Sequence, residues 1–128
     1  MTAKKSGRKS RNKNRLIGWL VSYALDPKGY TFELRSGRSL ITSETEQADS
    51  VLNVINKSVS SPHAAMNATK NHQLFIQDIF SEAGSYIQKA GSDAEIAIKG
   101  TTNVEHGDWI RIGKSTKFQV CLIDESVN

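Results

Sequence analysis

The residues able to do chemistry are few and scattered. His63, His72 and His106 lie far apart in the chain, and the lone Cys121 sits in an alternating apolar stretch. No acidic pair and no His/Cys group has the spacing that holds a metal ion. There is no phosphate-binding glycine loop, dinucleotide fingerprint or nucleophile elbow. The sequence therefore points away from an enzyme, a metal site or a cofactor. What remains is carried by three polar segments: Val59-Ser60-Ser61-Pro62-His63-Ala64, Asp78-Ile79-Phe80-Ser81-Glu82-Ala83-Gly84-Ser85-Tyr86-Ile87, and His106-Gly107-Asp108-Trp109-Ile110-Arg111-Ile112-Gly113. Polar segments of this kind need a rigid scaffold to hold them in place.

That scaffold is expected to be all-β. At 128 residues the chain is the size of one domain, and 18 Val plus Ile against eight Leu, with eight Thr, favour strands over helices. From Leu16 onward, turn signals recur every eight to twelve residues between short alternating segments, the habit of a sandwich or barrel. Ten strands are expected: Leu16 to about Leu25, then 30–35, 39–42, 51–55, 63–69, 73–77, 85–89, 95–99, 109–112 and 116–123. In the first, Trp19, Val21 and Tyr23 should share one face, and Leu16, Gly18, Leu20 and Ser22 the other. No segment keeps a helical apolar stripe.

The charge is uneven. Seven of the 17 Lys+Arg (Lys4, Lys5, Arg8, Lys9, Arg11, Lys13, Arg15) fall in the first 15 residues, which hold no acid, so 10 bases face 13 acids from Leu16 onward. Residues 1–15 lack the apolar surface needed to offset the entropy of ordering them, and a disordered basic arm is expected. Such an arm could contact nucleic acid through counterion release. Without an interleaved aromatic to stack on bases, a solvated tail is the favoured reading. The apolar run Leu16–Leu25 is too short to span a bilayer and has no small-x-small cleavage site before Asp26-Pro27, so no membrane span or secretory signal is expected. One cysteine excludes an internal disulfide and suits the cytoplasm.

The three polar segments, in this order and at these separations, resemble the forkhead-associated (FHA) family, whose matching stretches read V-S-x-x-H-A, D-x-x-S-x-N-G-T-x-V and G-D-x-I-x-I-G. The resemblance covers about residues 17 to 123. It implies a Greek-key-type β-sandwich of ten to eleven short strands over residues 16–124, with 125–128 as a tail. It further implies non-catalytic interaction with another protein phosphorylated on threonine, through loops at one end. Ser60 matches the family's phosphate-binding serine, Ser61 stands beside it, and His63 matches a histidine that braces the loops.

The departures fall on the ligand contacts. The family's arginine follows glycine in an I-G-R segment after a strand and turn of the form F-x-L-x-x-G. Here Phe32-Glu33-Leu34-Arg35-Ser36-Gly37 takes the strand and turn, so Ile41-Thr42-Ser43 occupies the I-G-R position. Gly37-Arg38 imitates the motif but falls at the preceding turn, 22 residues before Ser60, whereas Ser43 stands 17 before it. Ala83 replaces the asparagine that reads the peptide backbone, and Gly84-Ser85 replaces Gly-Thr. The sequence thus implies an interaction module with a weakened phosphothreonine pocket. The alternatives are phosphopeptide binding through Arg38 and Ser60, and nucleic-acid binding through the arm.

Overall fold

Period-two alternation of apolar residues produces strands, and a sheet with one apolar face has to bury that face against a second sheet. The computed structural model, which describes residues 13–45, 48 and 50–127, does so with eleven strands. They are β1 Leu16–Ser22, β2 Tyr30–Arg35, β3 Gly37–Thr42, β4 Val51–Asn53, β5 Ala64–Ala68, β6 Leu74–Asp78, β7 Ser85–Gln88, β8 Glu95–Ala97, β9 Thr102–Val104, β10 Trp109–Ile112 and β11 Thr116–Leu122. One sheet has the order β9-β6-β5-β3-β4 and the other β2-β1-β11-β10-β7-β8. All neighbours are antiparallel except β3 and β4.

The core lies between the inner faces. Ile41, Leu52, Ala64, Met66, Leu74 and Ile76 from one sheet meet Leu20, Leu34, Ile110, Ile112, Phe118 and Val120 from the other, all essentially excluded from solvent. Ser36-Gly37 carries the chain between sheets, since β2 pairs with β1 and β3 with β5.

Several details differ from the sequence expectation. β1 ends at Ser22 rather than near Leu25, so Tyr23 lies exposed beyond the strand instead of sharing a face with Trp19 and Val21. β9 was unforeseen: only Val104 of its three residues is buried, too little for an alternating signal. A bulge between Leu16 and Gly18 buries Ile17 beside Gly18 and leaves Leu16 half-exposed, because one inserted residue shifts the side-chain alternation. β3 begins at Gly37, which places Arg38 within a strand. Composition put Asn14 and Arg15 in the arm, yet the Asn14 amide donates to the Ser36 carbonyl at 2.7 Å and Arg15 Nε to His72 Nε2 at 2.7 Å. His72 in turn bonds the Ile123 carbonyl through Nδ1 at 2.7 Å. The expected tail holds one 3-10 turn over Glu125–Val127. The arm from residue 1 to 12 lies outside the described residues, as does Asn128.

Candidate functional site

The register brings the end of β3, the start of β5, the end of β6, the start of β7 and the β10–β11 turn to one end of the sandwich. Ile41 pairs with Ala64, Ala64 with Asp78, and Ser85 with Ile112. His63 locks these loops together. It is completely buried, accepts the Ser60 N–H at Nδ1 (2.9 Å) and donates from Nε2 to the Gly84 carbonyl (2.8 Å). Its backbone N–H donates to Ile41 and its carbonyl accepts from Ile79. One imidazole therefore fixes the Ser60 loop against the Gly84 loop, which leaves it no lone pair for proton transfer to a ligand.

Asp78 holds the β6–β7 loop from its other side. Its Oδ1 accepts the hydroxyls of Ser81 (2.6 Å) and Ser85 (2.5 Å), and its Oδ2 accepts the Ser81 N–H (3.0 Å). Burial opposes ionisation of Asp78, but the Ser81 and Ser85 hydroxyls and the Ser81 amide outweigh it and hold the carboxyl below its ordinary range. Ser85 is buried with its hydroxyl committed to Asp78, so it braces the loop and presents nothing at the surface. Gly84 has φ of 87°, and a Cβ there would meet the Tyr86 hydroxyl at 2.9 Å. Only glycine lets this backbone offer its carbonyl to both His63 and the Gly113 N–H.

Ser60 and Ser43 meet directly. The Ser43 N–H donates to the Ser60 carbonyl at 3.2 Å, and Thr42 Oγ1 donates to Ser61 Oγ at 3.1 Å and accepts the Glu44 N–H. Ser60 Oγ accepts the Glu82 N–H at 3.0 Å, keeping its own hydrogen for a further acceptor. Arg38 is elsewhere. It pairs with Asn67 at the far end of β3, about 16 Å from Ser43 at 3.3 Å per residue. There it lines a depression of about 490 Å³ on the outer face of its sheet with Asn67, Phe75, Gln77 and Thr101. Ala83 lies on the loop end and lines a second depression of about 470 Å³, which also includes Asn56, Lys57, Ser58, Glu82, Lys114 and Ser115.

Sequence motifs do not single out this second depression. Ser58 Oγ accepts the Lys114 N–H at 2.9 Å across 56 residues, a pairing no local spacing reveals. The usable signals are the Asn56-x-Ser58 turn, where Asn56 Oδ1 accepts both the Ser58 N–H and its hydroxyl, and Gly113 just after β10.

The FHA-domain profile matches residues 34–113. The fold is similar to that of EmbR from Mycobacterium tuberculosis, solved in complex with a low-affinity phosphopeptide (20% identity, 85% of this chain and 25% of that one, TM-score 0.67). It is also similar to the FHA domain of a hypothetical protein from Arabidopsis thaliana (16%, 86% and 88%, TM-score 0.67). A third similar structure is the FHA domain of human APLF in complex with an XRCC1 bisphospho peptide (17%, 84% and 99%, TM-score 0.66). The chain spans about a quarter of the EmbR chain, and at these identities the likeness is one of fold. No curated protein matched in sequence. With more than half its length inside the profile and the sandwich in place, the chain belongs to the FHA-domain family. FHA domains are non-catalytic modules that bind phosphopeptides of partner proteins. Among the described residues, no helix is long and apolar enough to cross a membrane.

Proposed function

We propose that this chain is a non-catalytic, cytoplasmic interaction module that docks a segment of a partner protein on its loop end, with phosphothreonine recognition weakened relative to its family. The observation carrying this reading is the contact between the end of β3 and the Ser60 loop, where the residue against Ser60 is Ser43. An arginine there would supply a charge-assisted, bidentate contact to phosphate, and a serine supplies one neutral hydroxyl. Ala83 likewise brings no amide to read a peptide backbone. Losing two such contacts, at about 2 kcal/mol or more each, would turn a micromolar binder into one near millimolar. Ser60 keeps a hydroxyl hydrogen, and His63, Asp78 and Gly84 hold the loops as a recognition surface requires.

Titration calorimetry with phosphothreonine peptides and their unphosphorylated twins tests the reading. The wild type is expected to bind both in the high-micromolar to millimolar range, with little preference for phosphate. Micromolar, phosphate-dependent binding abolished by Arg38→Ala would overturn it in favour of a pocket built on Arg38 and Ser60.

A further inference from the structure

Two loops that meet at the recognition end place two lysines on one depression, neither of them in an ion pair among the described residues. Ser58 sets both: Lys57 precedes it in the chain, and the Lys114 N–H is bonded to its hydroxyl. The junction is tight. A Cβ on Gly113, whose φ is 67°, would stand 2.5 Å from Ser58 Oγ and 2.7 Å from its carbonyl oxygen. Gly113 also donates its N–H to Gly84, tying the β10–β11 turn to the β6–β7 loop. Three loops thus close around one depression of about 470 Å³, with Lys57, Lys114, Ser58, Ser115 and Asn56 on its walls and Glu82 as its one acid among the described residues. Both lysines are exposed, and neither forms an ion pair among the described residues. The other Lys and Arg ion pairs, Arg35 with Glu33, Lys89 with Asp108 and Glu105, and Arg111 with Glu95, are closed within the protein.

We propose that the Lys57–Lys114 depression is an anion-binding subsite that takes an acidic group, carboxylate or phosphate, of the partner segment docked on the loop end. This deepens the docking reading and rests on it. The charge of the lining favours it: within the depression Lys57 and Lys114 face one acid, Glu82, in a body where acids outnumber bases 13 to 10 from Leu16 onward, although Asp78 and Glu44 stand at the same end of the sandwich. Ammonium groups are point charges without a fixed fork, so they accept carboxylate and phosphate alike. The Ser115 hydroxyl and the Asn56 amide N–H groups add neutral donors beside them, while the Ser58 hydroxyl is committed to Asn56 Oδ1. The subsite lies next to Ala83 and so supplies attraction where the family's amide is lacking.

The test is an amide-resolved NMR titration of the full chain with inorganic phosphate, a glutamate-rich decapeptide, a phosphothreonine decapeptide and an oligothymidylate. Inorganic phosphate and both peptides are expected to saturate shifts at Ser58, Lys114 and Ser115. Lys57→Gln and Lys114→Gln are each expected to weaken peptide binding about tenfold, while Lys70→Gln, at the opposite end of the sandwich, leaves it unchanged. The two peptides separate carboxylate from phosphate as the group taken. Peptide binding that survives the double lysine variant but is lost in Ser60→Ala would overturn the subsite while the docking reading stands. Phosphate saturating at the lysines with neither peptide bound would sink the docking reading instead. Tighter binding of the oligothymidylate at these same amides would assign the subsite to nucleic acid and overturn the proposal.

Discussion

A single imidazole ties the Ser60 loop to the Gly84 loop. His63 has both nitrogens committed, to the Ser60 N–H and the Gly84 carbonyl, in a site with no solvent access. His63→Ala leaves the Ser60 N–H without its partner, takes one of two donors from the Gly84 carbonyl and empties a fully buried position, and should destabilise the domain by about 1–3 kcal/mol in denaturant unfolding. A variant as stable as wild type would mean that the loops hold without it. Asp78 makes a pH-dependent counterpart. Its carboxyl is held below the ordinary range, so folding gains stability from it above its unfolded value, near pH 4, and loses that gain as pH falls through its lower folded value. Asp78→Asn should therefore melt lower than wild type at pH 7, with the gap closing under acid; a gap independent of pH would contradict this. Ser58 and Lys114 were not legible as a pair in the sequence, because the contact between them spans 56 residues and only the folded loops create it, whereas Gly113 closes the last of the three motifs. Ser60 and His63 were legible, being three residues apart in one short segment.

Among the elements, the long alternating strands were legible and the short edge ones were not. Phe118, Val120 and Leu122 alternate along β11, as do Phe32 and Leu34 along β2, and a half-buried strand follows from that pattern alone. β9 escaped because its pairing with β6, Thr102 opposite Ile76 and Asn103 opposite Phe75, is dictated by the partner strand rather than by its own residues. The far end of the sandwich depends on Asp108 in the same way that the recognition end depends on His63. Buried Asp108 accepts the N–H groups of Ala90 and Glu105 and the Lys89 ammonium at 2.5 Å, joining the β7–β8 and β9–β10 connections. Asp108→Ala strands the Ala90 and Glu105 amides and leaves Lys89 with Glu105 alone, at a cost of about 2–4 kcal/mol, without touching the loops around Ser60. Chemical denaturation measures the loss. Ligand titrations on the folded variant should match wild type, and altered binding would show that the two ends are coupled.

At the scale of the molecule, the sandwich sets the start of β1 and the Ser60 loop at opposite ends. The strand that leads out of the arm starts at the end opposite Ser60, where Arg15 accepts the Ser36 N–H and Gly37 pairs with Ala68. Removing residues 1–12, whose only apolar residues are Met1 and Ala3, should shift the melting temperature by no more than a couple of degrees, or about 0.5 kcal/mol. Removing residues 1–15 should cost distinctly more, because the Asn14 and Arg15 contacts go with them. Equal effects would place the domain boundary at Leu16, as composition alone suggests.

If Thr42-Ser43 and Ala83, standing where the family has Gly-Arg and Asn, are what lowers phosphothreonine affinity, restoring the family residues should raise it, and calorimetry on that variant measures the gain. Thr42→Gly, Ser43→Arg and Ala83→Asn together put a guanidinium beside Ser60 and an amide beside Gly84. Thr42 is buried and bonds Ser61 and Glu44, so some stability is lost, and the melting curve has to show the variant folded before titration. Phosphothreonine peptides are expected to bind the folded variant more tightly than wild type by about 2–4 kcal/mol, with no gain for unphosphorylated peptides. A folded variant with wild-type affinity, beside a wild type that already binds phosphothreonine at micromolar concentration, would contradict it.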